Sequence, residues 1–458
     1  MNELASPGVT GASEEWSSSW GFILATVGSA AGIGNIWRFS YVAGENGGGA
    51  FLLLYLVCIA LIGLPIVIAE LAIGRVDRRG ATPAIERLTR LRHWRSFGIL
   101  SVVIAFLVLS FYSVIAGWAF KYLLGALDGS LMRVASGGHG EFFERFISGP
   151  LQPVIWQFCM IAATVLVVIG GVRNGIEAVN RVLMPALFAI VVGLAAYGLT
   201  LSGSAAGLRF LFAPDWTALG NPSVYLAAMG QAFFSLGVGM AVFVTYGGYL
   251  PARHRIPQAA CAVVAGDTLI AILAGIAIFS TVFAFGVDPA SGPELAFITL
   301  PQIFLAMPGG RLVAIFFFAL LVAGALTSMV SMLEVPVAYL VRRTRYSRRQ
   351  LVPALGIAIF LLGVPSALGF GPLETINWHG RGILDNVDYL VANFLLPAGG
   401  ILIVLFVGWR WRRHDALTGA DLDRSRWGTR WGLVWLWLIR IVTPTLILLI
   451  ILNGIVDV

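Results

Sequence analysis

The stretch Gly28-Ser29-Ala30-Ala31-Gly32-Ile33-Gly34-Asn35 lies in the middle of an otherwise apolar segment near residues 17–43. Glycines at 28, 32 and 34 are poor helix formers. The segment around them is still long and apolar enough to enter a membrane. A helix broken there exposes backbone carbonyls and amides, which lipid does not tolerate unless they line a cavity or bind something. Freed carbonyl oxygens suit a hard cation. The N–H groups opening the next half-helix suit a carboxylate. One interrupted helix can therefore hold both.

The rest of the chain places that segment in a bilayer. Its 458 residues are 58% hydrophobic and only 12% charged, with a mean hydropathy of +0.88. A soluble protein carries about a quarter charged residues. Spans are expected near 17–43, 49–75, 97–126, 153–172, 178–201, 223–250, 258–286, 311–341, 350–370, 385–412 and 431–456. That makes about eleven transmembrane helices in an all-α membrane protein. Ala296–Met307 is too short to cross and reads as an external re-entrant hairpin, while the polar Gly129–Gly149 loop reads as external.

The pI near 9.6 could suggest nucleic acid, but the arginines crowd alternate loops: 75–95, 173–181, 253–255, 342–349 and 410–430. That pattern puts those loops and the N-terminus in the cytoplasm. It implies a lipid bilayer as partner and no nucleic acid. Met1–Trp20 has no Lys or Arg, so no cleavable signal peptide is expected. Cys58, Cys159 and Cys261 fall in apolar spans and suggest no disulfide. The five histidines, at 93, 139, 254, 379 and 414, are scattered, no catalytic constellation is present, and an enzyme is not expected.

A second span is interrupted. Residues 224–249 carry Gly230, Gly237 and Gly239 with Ser235 between them, five spans after the first break. Paired glycine-broken segments at matching places in two halves point to a binding site at the midplane. Asp267, an acid inside an apolar span, is the kind of costly intramembrane charge that is usually functional.

The string GSAAGIGNIWRF at 28–39, followed by ENGGGAF at 45–51, closely resembles the first-helix signature of the neurotransmitter:sodium symporter family. GQAFFSL at 230–236, FITLP at 297–301 and ALTS at 325–328 follow in the family's order. The resemblance implies a LeuT-like fold forming a single transporter domain over 1–458. Its 5+5 inverted repeats would span about 17–201 and 223–412, with discontinuous helices 1 and 6 and a last helix near 431–456. It implies a sodium-coupled importer of amino acids in the bacterial inner membrane, monomeric or homodimeric. A transporter-like sensor, or a symporter of another small zwitterion, is the alternative.

By the same resemblance, two sodium ions bind. The first would take the Ala30 carbonyl, Asn35, Ser235 and Asp267. The second would take carbonyls of Gly28, Ala31 and Gly324 with hydroxyls of Thr327 and Ser328. The substrate carboxylate would meet the N–H groups of Ile33 and Gly34 and the Tyr112 hydroxyl. Its ammonium would meet carbonyls of Ala30, Phe234, Ser235 and Gly237. The side-chain pocket would be Val108, Phe234, Gly237, Met240, Ser328 and Met332, apolar and adaptable through methionine. Relatives that carry monoamines have an aspartate where Gly32 stands, so this substrate is expected to bring its own carboxylate. Tyr55, Gln231 and Ser235 match chloride-site positions, but Ala271 replaces a serine; Asp267 is expected to supply the negative charge and remove any need for chloride.

Arg38 and Asp388 match the outer gate pair. The cytoplasmic gate departs from the family pattern. Ser13 stands before Trp16 in place of an arginine, and Arg342 ends the eighth span in place of an aspartate. A reversed pair, Glu14 or Glu15 with Arg342, is one reading; the other is that Arg342 is an ordinary residue of the positive cytoplasmic face. Gly175 and Pro185 match an element that lets the fifth span unwind. Glu70 and Glu334 are further membrane acids whose partners the sequence does not name.

Overall fold

The computed structural model describes residues 15–76, 94–135, 137–251, 254–290, 292–378 and 380–456. Among them nine helices are long and apolar enough to cross a membrane. These are Gly49–Val76, Gly98–Leu127, Gln152–Ile169, Val172–Leu199, Ile256–Ala284, Gly310–Val341, Arg348–Leu368, Ile383–Arg410 and Arg426–Ile455. Two broken spans complete the eleven. Ser13, Glu14, His93, Arg253, His379 and much of the arginine-rich stretch after Arg75 lie outside the described residues.

The first span opens at Ser18, whose hydroxyl accepts from the Gly21 N–H, and runs as Ser19–Ala30. Ala31 leaves the helical region at φ −73°, ψ 69°. Gly32 N–H then folds back onto Ala30 O at 2.8 Å instead of reaching Gly28 O. The helix resumes as a wide turn at Gly34–Arg38 and ends as Phe39–Glu45. The sixth span is capped by Asn221, starts with Pro222 and stops at Leu236. Gly237, Gly239 and Ala241 all have positive φ before the helix restarts at Val242–Gly248. Glycine takes that conformation freely; Ala241 holds it at a cost on the order of 1–2 kcal/mol.

The fifth span begins at Val172 rather than near 178, because Gly171 turns the chain at φ 80° while Arg173 and Asn174 lower the local hydropathy. Gly175 therefore sits inside a wide helical turn, Val172–Glu177, and Pro185 inside the following helix. Connections between spans carry short helices at His139–Ile147, Ser204–Phe212 and Thr299–Ala306.

The third and eighth spans pack along each other, as do the fifth and seventh and the fourth and ninth. The broken helices lie among them. The first packs on the fifth, seventh and eighth, and both halves of the sixth pack on the second. The second span holds the sixth by direct backbone approach. A Cβ on Gly74 would lie 2.0 Å from Val244 O, and one on Gly247 would lie 2.7 Å from Leu71 O. Gly74→Val should therefore cost at least the 1–3 kcal/mol of core overpacking and lower the melting temperature in detergent. An unchanged melting curve would mean that this contact does not hold the sixth span.

Candidate ion and substrate site

Asp267, fully buried on the seventh span, is the centre of a polar nest between the two breaks. Its Oδ1 accepts from Asn35 Nδ2 at 2.7 Å, and its Oδ2 from Ser235 Oγ at 2.8 Å. Tyr55 OH lies 3.1 Å from Ser235 Oγ and donates to Asp267 Oδ2 at 3.5 Å. Asn35 Nδ2 also reaches the Asp267 carbonyl at 3.1 Å. That fixes the amide, and leaves Asn35 Oδ1 buried without a partner. An unmatched buried acceptor beside a buried carboxylate is the electrostatics of a cation site. Gln231 joins this nest to the outer side, donating to Gly34 O at 3.0 Å and accepting from Arg38 Nη1 at 2.8 Å.

A second group of oxygens gathers where the eighth span crosses the first break. Ala31 O would lie 3.2 Å from a Cβ on Gly324. Ser328 Oγ donates to Ser29 O at 3.2 Å. Thr327 Oγ1 bonds back to Gly324 O at 3.0 Å, the local bond such residues often make within a helix. Gly28 O has lost the Gly32 N–H to Ala30 O.

Between these groups lies a tight cavity of about 20 Å³, room for little more than one water molecule. Ala30, Gly34, Val108, Tyr112, Phe234, Ser235, Gly237, Met240, Ser328 and Met332 line it, with Ser29, Gly32 and Leu396 in addition. Ile33 borders it through its amide, which donates to the Tyr112 hydroxyl at 3.0 Å. A Cβ on Gly32 would lie 2.5 Å from Ser328 Oγ and 2.6 Å from Tyr112 OH. Any side chain there would fill the polar end of the cavity.

The chain matches the sodium:neurotransmitter symporter family over residues 13–136 and 148–458. It belongs to that family. An uncharacterized sodium-dependent transporter of Bacillus subtilis, YhdH, is 39% identical over 96% of this chain and 97% of its own. The sodium-dependent serotonin transporter of Drosophila melanogaster is 27% identical over 96% of this chain and 76% of its own. Among solved structures, MhsT in complex with L-phenylalanine superposes with a TM-score of 0.89 and 49% identity, covering 96% of this chain and 99% of that one. The protein is thus a multi-pass membrane transporter of the sodium-coupled symporter class, with sodium and a small molecule as cargo.

The charged residues at the two ends of the broken helices are bonded to partners other than those expected. Arg38 does not reach Asp388. Its guanidinium bonds Gln231 and lies 4.5 Å from the centroid of the Phe234 ring, although its charge still acts on Asp388. At the other end Arg342 is exposed at the C-terminus of the eighth helix. The ion pair instead joins Glu334 to Arg348, whose second nitrogen Nη1 lies 3.1 Å from Glu334 Oε1. Arg348 opens the ninth helix just after the Ser347 cap, so it turns back toward the eighth. Tyr249 OH donates to Glu334 at 2.7 Å, and Trp16 Nε1 donates to Tyr246 O at 3.1 Å. Trp16, Tyr246 and Tyr249 pack edge to face and seal this side. Glu70 finds its partner in the sixth break, accepting from Gly239 N–H at 2.8 Å.

Leu396, Arg348, Tyr246 and Tyr249 were not singled out from sequence. Arg348 is one of five arginines between 342 and 349, and nothing in that run says which one turns inward. Arg348→Gln and Glu334→Gln should each raise labelling, by a water-soluble thiol reagent, of a cysteine placed at the buried Ala25. The exchange of both charges should restore protection, and Arg342→Gln should label as the unmodified protein. Equal effects from Arg342→Gln and Arg348→Gln would return the gate to Arg342.

Proposed function

We propose that this symporter imports hydrophobic L-amino acids together with two sodium ions by alternating access. It would act from the bacterial inner membrane with its N-terminus in the cytoplasm, as a single domain of two inverted repeats, monomeric or homodimeric. The observation that carries the substrate class is the cavity itself. Its polar end is shaped by Gly32, Tyr112 and the Ile33 amide, and its far end by Val108, Met240, Met332 and Leu396, with no charged side chain in the lining. The bound L-phenylalanine of the superposed relative is of the same class.

In this reading the substrate carboxylate takes the place of the Tyr112–Ile33 bond and accepts from both donors and from Gly34. The freed carbonyls of the two breaks, at Ala30, Phe234, Ser235 and Gly237, receive the ammonium. Asn35 Oδ1, Asp267, Ser235 and the Ala30 carbonyl hold the first sodium next to that carboxylate, so ion and substrate stabilise one another. The carbonyls of Gly28, Ala31 and Gly324 and the hydroxyls of Thr327 and Ser328 hold the second. Arg38 and Asp388 close the outer mouth above Phe234 after the substrate binds. Trp16 and the Glu334–Arg348 pair close the inner one. Asp267 already places a negative charge by Tyr55 and Ser235, so no chloride is needed there.

Two charges moved through about 100 mV supply roughly 4.6 kcal/mol, enough for accumulation on the order of a thousandfold. Proteoliposomes should take up labelled leucine or phenylalanine only with an inward sodium gradient. Unlabelled Leu, Phe or Trp should compete, and Gly, Glu and Lys should not. Uptake without sodium, or competition by glycine over leucine, sinks the reading. Replacing chloride with gluconate should leave the rate unchanged; a collapse would remove the role given to Asp267.

A further inference from the structure

The first helix lies against the fifth span through two glycines two turns apart. A Cβ on Gly21 would lie 1.8 Å from Glu177 Oε1, and one on Gly28 would lie 2.3 Å from Asn180 Oδ1 and 2.9 Å from Met184 Sδ. Glu177, Asn180 and Met184 follow helical spacing and face the first helix together. Both polar groups are buried, each 1% exposed.

Their hydrogen bonding differs. Glu177 is fully engaged. It accepts from the Ser17 N–H at 2.8 Å, from Ser17 Oγ at 2.6 Å, from Ser18 Oγ at 3.3 Å and from Arg181 at 2.7 Å. Asn180 is half engaged. Its Nδ2 donates to Ile176 O at 2.9 Å, while Oδ1 has no partner. Turning the amide over would set its oxygen against the Ile176 carbonyl, so the orientation is fixed. A buried acceptor left unmatched costs about 1–3 kcal/mol. Oδ1 lies beside the Gly28 backbone, and no donor reaches it. A hard cation satisfies such an oxygen.

We infer that Asn180 Oδ1 is a transit ligand for sodium, receiving the ion from the Gly28 side and passing it toward Glu177, one turn nearer the start of the first helix. This rests on the second sodium site proposed above. Ser17 and Ser18 belong to the start of the first helix, so displacement of that start strips three of the four bonds from Glu177 and uncovers its carboxylate. Arg181 stays beside it on the same helix and limits how firmly an ion is retained. The glycines at 21 and 28 keep both oxygens against the first helix, where a larger residue would push them out of line.

The test uses full-length protein in proteoliposomes with Asn180→Leu and Asn180→Asp. Three quantities are read: sodium-dependent equilibrium binding of labelled leucine, its uptake, and the release of radioactive sodium from the loaded protein. For Asn180→Leu, the sodium dependence of binding should stay within about twofold, while sodium release and uptake slow about tenfold, the scale of one lost charge-assisted contact. For Asn180→Asp, a full charge beside Gly28 should lower the sodium half-saturation several-fold and slow release. Release from Asn180→Leu at the unmodified rate would mean that Oδ1 meets only water, and overturns the inference. Loss of equilibrium binding in Asn180→Leu would make Asn180 a packing residue and overturns it too. If the leucine variant does not fold, an unchanged sodium half-saturation in Asn180→Asp is decisive against it. Absence of sodium-dependent binding in the unmodified protein would instead overturn the proposed function.

Discussion

A backbone amide or carbonyl inside a bilayer must be bonded within the protein, and the whole arrangement depends on the two places where this rule is suspended. At Ala31–Ile33 and at Gly237–Ala241 the ladder stops, and four of the backbone groups in and beside these breaks are taken up by side chains from other spans. Tyr112 receives the Ile33 amide, Ser328 donates to the Ser29 carbonyl, Gln231 to the Gly34 carbonyl, and Glu70 receives the Gly239 amide. The breaks are therefore held by the third, eighth, sixth and second spans. Two of those side chains, Tyr112 and Ser328, also line the cavity, so there the fold and the site have one cause.

The polar residues are graded in how completely they are satisfied. Glu334 is closed by Arg348 and Tyr249, and Glu177 by two serines and Arg181. Asn35 and Asn180 each keep one buried oxygen without a donor. The fully bonded acids lie at the inner seal and the foot of the first helix, where structure must close. Asn35 and Asn180 lie beside the first break, where a cation can complete them, whereas Gln157, whose Oε1 is also without a partner, sits on the fourth span against Ser113 and Phe360.

The sequence made the membrane class, the eleven spans and both breaks legible, because hydropathy and glycine placement are local signals. Part of the cavity lining was legible through the ordered strings around Gly28, Gly230 and Ala325, which include Ala30, Gly34, Phe234, Ser235 and Ser328. Pairings across the chain were not. Whether Arg342 or Arg348 turns inward is set by the Ser347 cap and the direction of the ninth helix, and both are three-dimensional facts. The early start of the fifth span was hidden because Arg173 and Asn174 mask a helix that Gly171 launches. Nothing in the sequence marks Asn180, since one asparagine early in a span is unremarkable until its neighbour Gly28 is known.

The close approach of Gly74 to Val244 and of Gly247 to Leu71 has a kinematic consequence. Two backbones pressed together with no side chains between them leave no layer that could shear. The inner half of the sixth helix and the second span must travel as one lever, with Glu70 pinning its tip. The start of the first helix is joined to the fifth span through the Ser17 and Ser18 bonds to Glu177 and Arg181. It is joined to the Tyr246–Tyr249 end of that lever through hydrogen bonds and ring contacts of Trp16, so side chains rather than pressed backbones connect it to its neighbours.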